Sequence, residues 1–198
     1  MSVNTVRGSL FESSLGANPS ALTPVLRVAA VALAVALTAT SAQFTVVLPF
    51  TQVPFTLTPL VVVLAGAVLG SRLGALSQAA YLAAGIAGVQ VFAPSVILPP
   101  GAARLLGPTG GYLLAYPMAA FAAGWLAERG WDRTTLRAIV ALSAGVLVIY
   151  LGGFSWLLQF TPSPSVAFAQ GVVPFVLADA AKVVIAALML PHAWKLLR

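Results

Sequence analysis

Six apolar stretches follow one another along the chain, separated by charged, glycine-containing or proline-broken segments. A helix rises about 1.5 Å per residue, so ~20 residues cross the ~30 Å apolar core of a bilayer. The pattern predicts an all-α integral membrane protein, a bundle of six transmembrane helices. Their predicted limits are 25–42, 57–70, 73–92, 109–127, 137–158 and 171–191. Residues 1–24 are predicted to be a polar N-terminal leader and 25–198 a single membrane domain.

The composition supports a membrane protein. Of 198 residues, 60% are hydrophobic and 7% charged, and the mean hydropathy is +1.01, so too little polar surface remains to cover a soluble globule. The chain has no cysteine, which excludes disulfides and thiolate metal sites. Its single histidine, His192, cannot form a histidine cluster. We therefore expect neither a metal site nor a cofactor.

The basic residues divide unequally between the two sides of the predicted bundle. Arg104 alone falls on one side, and cytoplasmic loops carry the excess of lysine and arginine, so both termini are predicted to be cytoplasmic. Because these residues stand at segment ends rather than in a stripe with aromatics, the net charge of +6 does not indicate nucleic-acid binding. The cytoplasmic set is Arg7, Arg27, Arg72, Arg129, Arg133, Arg137, Lys195 and Arg198.

The three predicted outer connections, which follow the first, third and fifth helices, carry prolines and almost no charge. They cover 43–56, 93–108 and 159–170. Non-helical backbone is tolerated at membrane depth only where protein buries it or where it lines a cavity. We therefore predict an outward-facing pocket roofed by these loops, with Arg104 at its mouth.

The last apolar stretch contains an acid and a base, Asp179 and Lys182. Charged groups at membrane depth cost about 2.5–3.5 kcal/mol and by default mark a functional interior. Residues three apart share a helix face, so the two can neutralise each other or address one ligand. The alternative is a structural ion pair that locks two helices. An acid accepts from N–H donors and cations bind carboxylate or carbonyl oxygens, which predicts a compact, largely apolar ligand carrying both kinds of group.

The first apolar stretch has small residues at helical spacing. Ala30 with Ala34 and Ala32 with Ala36 would let another helix approach closely, which predicts a docking face for a partner. Alanine is common throughout the chain, so chance is the alternative. The end of this stretch, 39–43, also resembles a signal-peptidase site, but the apolar run exceeds the ~7–15 residues of an ordinary signal core.

Several short motifs resemble those of the BioY family, the membrane-embedded, substrate-binding S components of biotin transporters of the energy-coupling-factor (ECF) type. The most specific is LGPTGGYL at 106–113; others are VPFTL at 53–57, LAGAVLGSRLGA at 64–75 and YLAAG at 81–85. The resemblance runs from about Arg27 to Leu190. It implies six helices and high-affinity binding of biotin near the outer face of a prokaryotic cell membrane.

The resemblance also implies site residues. Asp179 would accept hydrogen bonds from the ureido N–H groups of biotin, while Lys182 and Arg104 would supply positive charge to its oxygens. Which of these two cations meets the carboxylate is left open. Further candidates for the pocket wall, each with ordinary packing or anchoring as the alternative, are Tyr81, Gln90, Tyr112 and Trp156. The chain departs from the family where Thr58 and Pro59 follow the first loop and at Gln90.

Transport would need energy from elsewhere, since the chain has no phosphate-binding loop of the G-x-x-x-x-G-K-S/T type. The resemblance implies a transmembrane coupling protein and a pair of ATPases as partners; the alternative is that the chain works alone. A second reading is an S component for another small vitamin.

An intramembrane enzyme is the alternative from a different class. Asp179 would then need a second membrane carboxylate, a Ser/His pair or metal ligands. The other acids, Glu12, Glu128 and Asp132, fall at or beyond segment ends. No catalytic residue is therefore expected.

Overall fold

The computed structural model describes residues 8–15, 23–95 and 99–196, and most of them are helical. The α-helices are α1 (Leu10–Ser14), α2 (Thr23–Gln43), α3 (Thr58–Leu69), α4 (Ser71–Ile86), α5 (Ala103–Leu106), α6 (Gly110–Leu126), α7 (Thr135–Leu157), α8 (Pro164–Gly171) and α9 (Val173–Leu196). A π-helical turn (Ala127–Trp131) follows α6, and a 3-10 turn (Leu158–Phe160) follows α7. Two short strands, β1 (Thr45–Val46) and β2 (Phe55–Thr56), pair antiparallel.

The long helices α2, α3, α4, α6, α7 and α9 pack into one bundle, with α6 against α3, α4 and α7. Small residues allow the closest approaches: a Cβ on Gly66 of α3 would overlap the backbone carbonyl of Ala120 on α6. Around this contact, Val62 and Val63 are fully buried. Because the backbones touch, neither helix can accept a larger side chain there without moving.

Three helical stretches of the described residues are long and apolar enough to cross a membrane by length and composition. They are Thr23–Gln43, Thr135–Phe160 and Pro164–Leu196, the last comprising α8 and α9. The helix Thr58–Leu69 is apolar but shorter. The chain is thus a mostly helical membrane protein, as predicted.

The third predicted helix is shorter than expected. We predicted 73–92, whereas α4 ends at Ile86. Gly88 has a φ of 95°, in the left-handed region that terminates helices and that glycine adopts without steric cost. Phe92, the apolar residue at the end of the predicted helix, is not in the helix. It folds back and is buried against the ring of Tyr81.

The connection predicted at 159–170 is not irregular throughout, since it contains helix α8. Ser163 accepts a hydrogen bond from the backbone N–H of Val166 at 3.4 Å, and Pro164 occupies the first turn. A serine cap followed by proline is a helix start, so the proline that suggested a break in fact opens a helix.

Part of the predicted polar leader is structured. Within 8–15, the Ser9 side chain caps α1 by accepting from the backbone N–H of Glu12 at 3.2 Å, and Leu10 is buried against the bundle. The remaining leader residues up to 22 lie outside the described residues.

A buried acid fastens the loop between α6 and α7 to the end of α9. Asp132 is fully buried, and its Oδ2 accepts a hydrogen bond from the indole N–H of Trp194 at 2.7 Å. Arg133 lies over the same indole, 4.5 Å from the ring centroid. Burial raises the pKa of the Asp132 carboxyl to about 6, although the bond from Trp194 opposes that shift.

This raised pKa predicts how stability depends on pH. Between the ordinary pKa of an unfolded aspartate, 3.8, and about 6, the folded protein binds a proton that the unfolded chain does not. The contribution of Asp132 to the free energy of unfolding should therefore increase as the pH falls from 7 to about 4. Asp132→Asn, which can still accept from Trp194, should flatten this dependence. Thermal unfolding in detergent at pH 5 and pH 7.5 measures it, and equal pH dependence in both proteins would contradict the assignment.

Candidate functional site

All six long helices contribute to one cavity at the end of the bundle where the first and second loops lie. Its walls are mostly aromatic and aliphatic, with a few polar groups. The aromatic residues that line it are Tyr81, Phe92, Tyr112, Tyr116, Tyr150 and Phe175. The side chains with polar groups are, apart from the tyrosines, Thr56, Thr58, Arg104, Thr109 and Asp179. An apolar pocket with a few convergent polar groups suits a small, partly polar ligand.

Asp179 lies in the wall of this cavity and is 5% exposed. Each of its oxygens accepts one hydrogen bond: Oδ1 from the Lys182 ammonium at 2.9 Å, and Oδ2 from the Tyr150 hydroxyl at 2.6 Å. A carboxylate has about four lone-pair sites, so Asp179 keeps the capacity to accept two more bonds. The carboxylate is thereby held in a fixed orientation with acceptor sites to spare.

Lys182 is beside the cavity rather than in its wall. Its ammonium donates to the backbone carbonyl of Thr56 at 2.8 Å as well as to Asp179, and it lies 4.2 Å from the centroid of the Phe55 ring. The predicted pair is therefore formed within α9, and it connects that helix to strand β2 of the first loop. Two acceptors and an aromatic face already surround the Lys182 charge.

Arg104 reaches the same cavity from α5, in the second loop. The residue is 7% exposed; its Nη2 donates to the Ala93 carbonyl, and its Nε has no partner among the described residues. Burial lowers the pKa of the Arg104 guanidinium, and the nearby Tyr81 opposes that shift. An arginine nevertheless stays charged in proteins, so Arg104 brings a cation with an unused donor to the cavity.

Two of the predicted wall residues, Tyr81 and Tyr112, line the cavity with their rings and tether loops with their hydroxyls. Tyr81 donates to the Val91 carbonyl at 3.1 Å, and Tyr112 donates to the Gly171 carbonyl at 2.8 Å. Packing and pocket lining, which the sequence left as alternatives, are here combined in the same residues.

The other two predicted wall residues do not line this cavity. Gln90 is exposed and borders an adjoining cavity that shares Arg104 with the first. Trp156 donates its indole N–H to the Gly107 carbonyl at 3.0 Å and packs against Gly111. Trp156 thus fixes the turn that precedes α6. This is a packing role, which was the alternative given for this residue.

Tyr150 is the main residue that the sequence interpretation missed. It lies within the long apolar helix α7 and lines the cavity beside Asp179. A phenol buried among apolar residues needs a hydrogen-bond partner, and Asp179 was the acid available at membrane depth. That reasoning could have paired them.

The alanines predicted to dock a partner divide into two sets. Ala34 is buried against Ala65 and Leu69 of α3, and Ala30 packs partly on the same cluster. Ala32 and Ala36 are exposed on the opposite side of α2. Ala30 and Ala34 therefore admit a helix of the same chain, and only the other pair is accessible to a partner.

Several known proteins resemble this chain. The model of the BioY family matches residues 14–198. A Pyrococcus horikoshii protein named probable biotin transporter BioY is 44% identical over 155 residues, which cover 78% of this chain and 88% of that protein. A biotin transporter BioY of Thermotoga maritima is 38% identical over 142 residues, covering 72% of this chain and 81% of that protein.

A solved structure shares the fold. The crystal structure at 2.1 Å of the S-component for biotin from an ECF-type ABC transporter matches with a TM-score of 0.79 and 23% sequence identity, covering 90% of this chain and 95% of that one. The sequence matches and this common fold confirm the resemblance that the glycine and proline motifs indicated. The chain belongs to the BioY family.

Proposed function

We propose that this chain is the biotin-binding membrane subunit of an uptake system, which captures biotin at the outer face and delivers it inward. The observation that carries the proposal is the buried Asp179 carboxylate in a wall that is mostly aromatic and aliphatic. The names of the relatives favour transport over catalysis and biotin over another vitamin.

The chemistry of biotin is complementary to the cavity. The ureido ring offers two N–H donors and a carbonyl, and the spare acceptor sites of Asp179 suit the two donors. The fused thiophane ring is apolar and suits the aromatic walls. The valerate ends in a carboxylate, which requires a cation.

We assign that carboxylate to Arg104. The Lys182 ammonium is already satisfied by Asp179 and the Thr56 carbonyl, whereas Arg104 lines the cavity and has a donor without a described partner. Arginine also matches a carboxylate with two parallel donors, which makes it the stronger partner. The site then has an acid for one end of the ligand and a cation for the other.

Calorimetric titration with biotin and with biotin methyl ester tests both the ligand and this assignment. We expect saturable binding of biotin to the purified chain, and weaker binding of the ester, which has lost its negative charge. Arg104→Gln should weaken biotin binding by about 10- to 100-fold, the worth of one charge-assisted contact, and should reduce the difference between biotin and ester to near zero. Arg27→Gln, the same substitution at a side chain 49% exposed, should change neither affinity.

The outcomes separate the two claims. If monodisperse wild-type protein binds no biotin but binds another vitamin, the proposed ligand is wrong. If Arg104→Gln weakens both ligands equally, Arg104 does not meet the carboxylate. If Lys182→Gln removed the difference in affinity between biotin and its methyl ester and Arg104→Gln did not, Lys182 would be the residue that meets the carboxylate.

The membrane placement we propose has all six bundle helices within a cell membrane, with both termini inside; α3, of 12 residues, is too short to cross it alone. The support is the position of the charges: Arg27, Arg72, Arg137 and Lys195 stand at one end of the bundle and Arg104 at the other. Cytoplasmic ends of membrane proteins carry such an excess of basic residues. The cavity then opens outward beneath the first two loops, and Thr51 of the first loop donates to the Gln170 carbonyl near the third at 2.7 Å.

For energy we propose a partner, a membrane coupling protein with a pair of ATPases. The fold is that of an S-component from an ECF-type ABC transporter, and the chain lacks a nucleotide-binding loop of its own. The exposed residues Ala32 and Ala36 on α2 have small side chains, which would let a helix of the partner approach closely inside the membrane.

A further inference from the structure

A second depression lies at the opposite end of the bundle from the biotin cavity. It has a volume of about 840 Å³ and lies where α3 and α6 end and α4 and α7 begin. Leu69 and Leu73 contribute apolar surface to it. We call it the basic groove, because four arginines line it: Arg72, Arg129, Arg133 and Arg137.

Two acids, Glu12 and Glu128, also line the basic groove. Glu128 accepts from the backbone N–H of Ser71 at 2.6 Å and from its hydroxyl at 2.9 Å. Glu12 lies 3.9 Å from Arg27, which is not part of the groove lining. In contrast, Arg72 and Arg137 are exposed and form no ion pair with any described residue. Four arginines against two acids therefore leave the groove with an excess of positive charge.

In the membrane placement proposed above, the groove lies where the membrane meets water. Trp125, near the end of α6, is 43% exposed, and the Arg129 guanidinium stacks 3.3 Å from its ring centroid while donating to its carbonyl at 2.8 Å. Tryptophan at the end of a membrane helix is typical of the headgroup region. Leu136, at the start of α7, is 75% exposed and suits contact with acyl chains. Arginines and exposed apolar side chains therefore occur together at one membrane boundary.

We propose that the basic groove binds the headgroup phosphate of an anionic phospholipid, with Arg72 and Arg137 as its principal ligands. A planar guanidinium matches the oxygens of a phosphate bidentately, and basic pockets between helices on the cytoplasmic side suit anionic headgroups. The proposal rests on the membrane placement given above but not on the identity of the transported molecule.

The test uses delipidated full-length protein in neutral detergent. Binding is measured by native mass spectrometry, and thermal unfolding is followed, as phosphatidylglycerol or phosphatidylcholine is added. We expect phosphatidylglycerol to bind with a defined stoichiometry and to raise the unfolding midpoint, because it binds the folded state, whereas phosphatidylcholine should do neither. Arg72→Gln with Arg137→Gln should weaken phosphatidylglycerol binding by about 30-fold. The control, Lys195→Gln with Arg198→Gln, removes the same charge and should leave that binding unchanged.

Three results would overturn the proposal. Equal effects of the two lipids would show that headgroup charge is not recognised. An equal loss in the control pair would show that only net charge matters. If inorganic phosphate or glycerol phosphate occupied the groove and thereby abolished lipid binding, the groove would be a site for a soluble anion. Biotin affinity, measured on the same preparations, should be unchanged in both double variants, so a failure here is distinguishable from a failure of the proposed function.

Discussion

Replacing Asp179 by Asn is expected to weaken biotin binding by at least about 100-fold, which corresponds to roughly 3 kcal/mol. The side chain keeps its size, but the ureido N–H groups lose a charged acceptor. The Lys182 ammonium, 2.9 Å away and largely buried, also loses its counter-ion. Calorimetric titration of the purified variant measures the loss.

Asp132→Asn is the matched control. Like Asp179, Asp132 is a buried aspartate that accepts a side-chain hydrogen bond, in its case from Trp194, but it lies at the other end of the bundle. At pH 7.5 the control should bind biotin as the wild type does. Both variants are first compared with the wild type by size-exclusion chromatography. A folded Asp179→Asn protein with wild-type affinity would remove this carboxylate from the binding site.

Gly66→Ala is expected to prevent assembly of the bundle. A methyl group at this position would overlap the backbone of Ala120, which cannot move as a flexible side chain could. Overpacking a core costs about 1–3 kcal/mol where side chains can adjust, and here the helices themselves would have to separate. We expect little monodisperse protein, and a lower unfolding midpoint for whatever is recovered.

Gly8→Ala provides the comparison, because the nearest atoms to a Cβ there are 3.9 Å away, in ordinary contact. This variant should behave as the wild type. If Gly66→Ala gave the same yield and unfolding midpoint as Gly8→Ala, helices α3 and α6 could not be as close as described.

The helical architecture could be predicted because hydropathy is a property of each segment by itself. The pair Asp179 and Lys182 could be found for a similar reason, since charge is rare in an apolar stretch and three residues is one helical turn. The end of α4 was misplaced because Phe92 is apolar for a tertiary reason, its packing on Tyr81. A window of hydropathy cannot distinguish that from membrane burial.

Contacts between segments were harder to predict. Nothing local shows that Trp156 turns toward Gly107, or that Ala30 and Ala34 face α3 while Ala32 and Ala36 do not. These outcomes depend on the rotation of each helix about its axis, which only the assembled bundle determines. For the same reason the sequence did not show whether Lys182 or Arg104 would meet the carboxylate of biotin. Lys182 donates to the Thr56 carbonyl, a residue 126 positions away in the chain, and no local pattern indicates that contact.

The tyrosine lining of the cavity decides which optical signal can follow binding. The chain has four tyrosines, and all of them, Tyr81, Tyr112, Tyr116 and Tyr150, line the cavity. It also has four tryptophans, none of which is among the described lining residues. Tryptophan emission therefore senses the ligand only at a distance, whereas the ultraviolet difference spectrum of tyrosine arises wholly from chromophores in the cavity wall. This protein carries its own spectroscopic probe of occupancy, and no label has to be introduced.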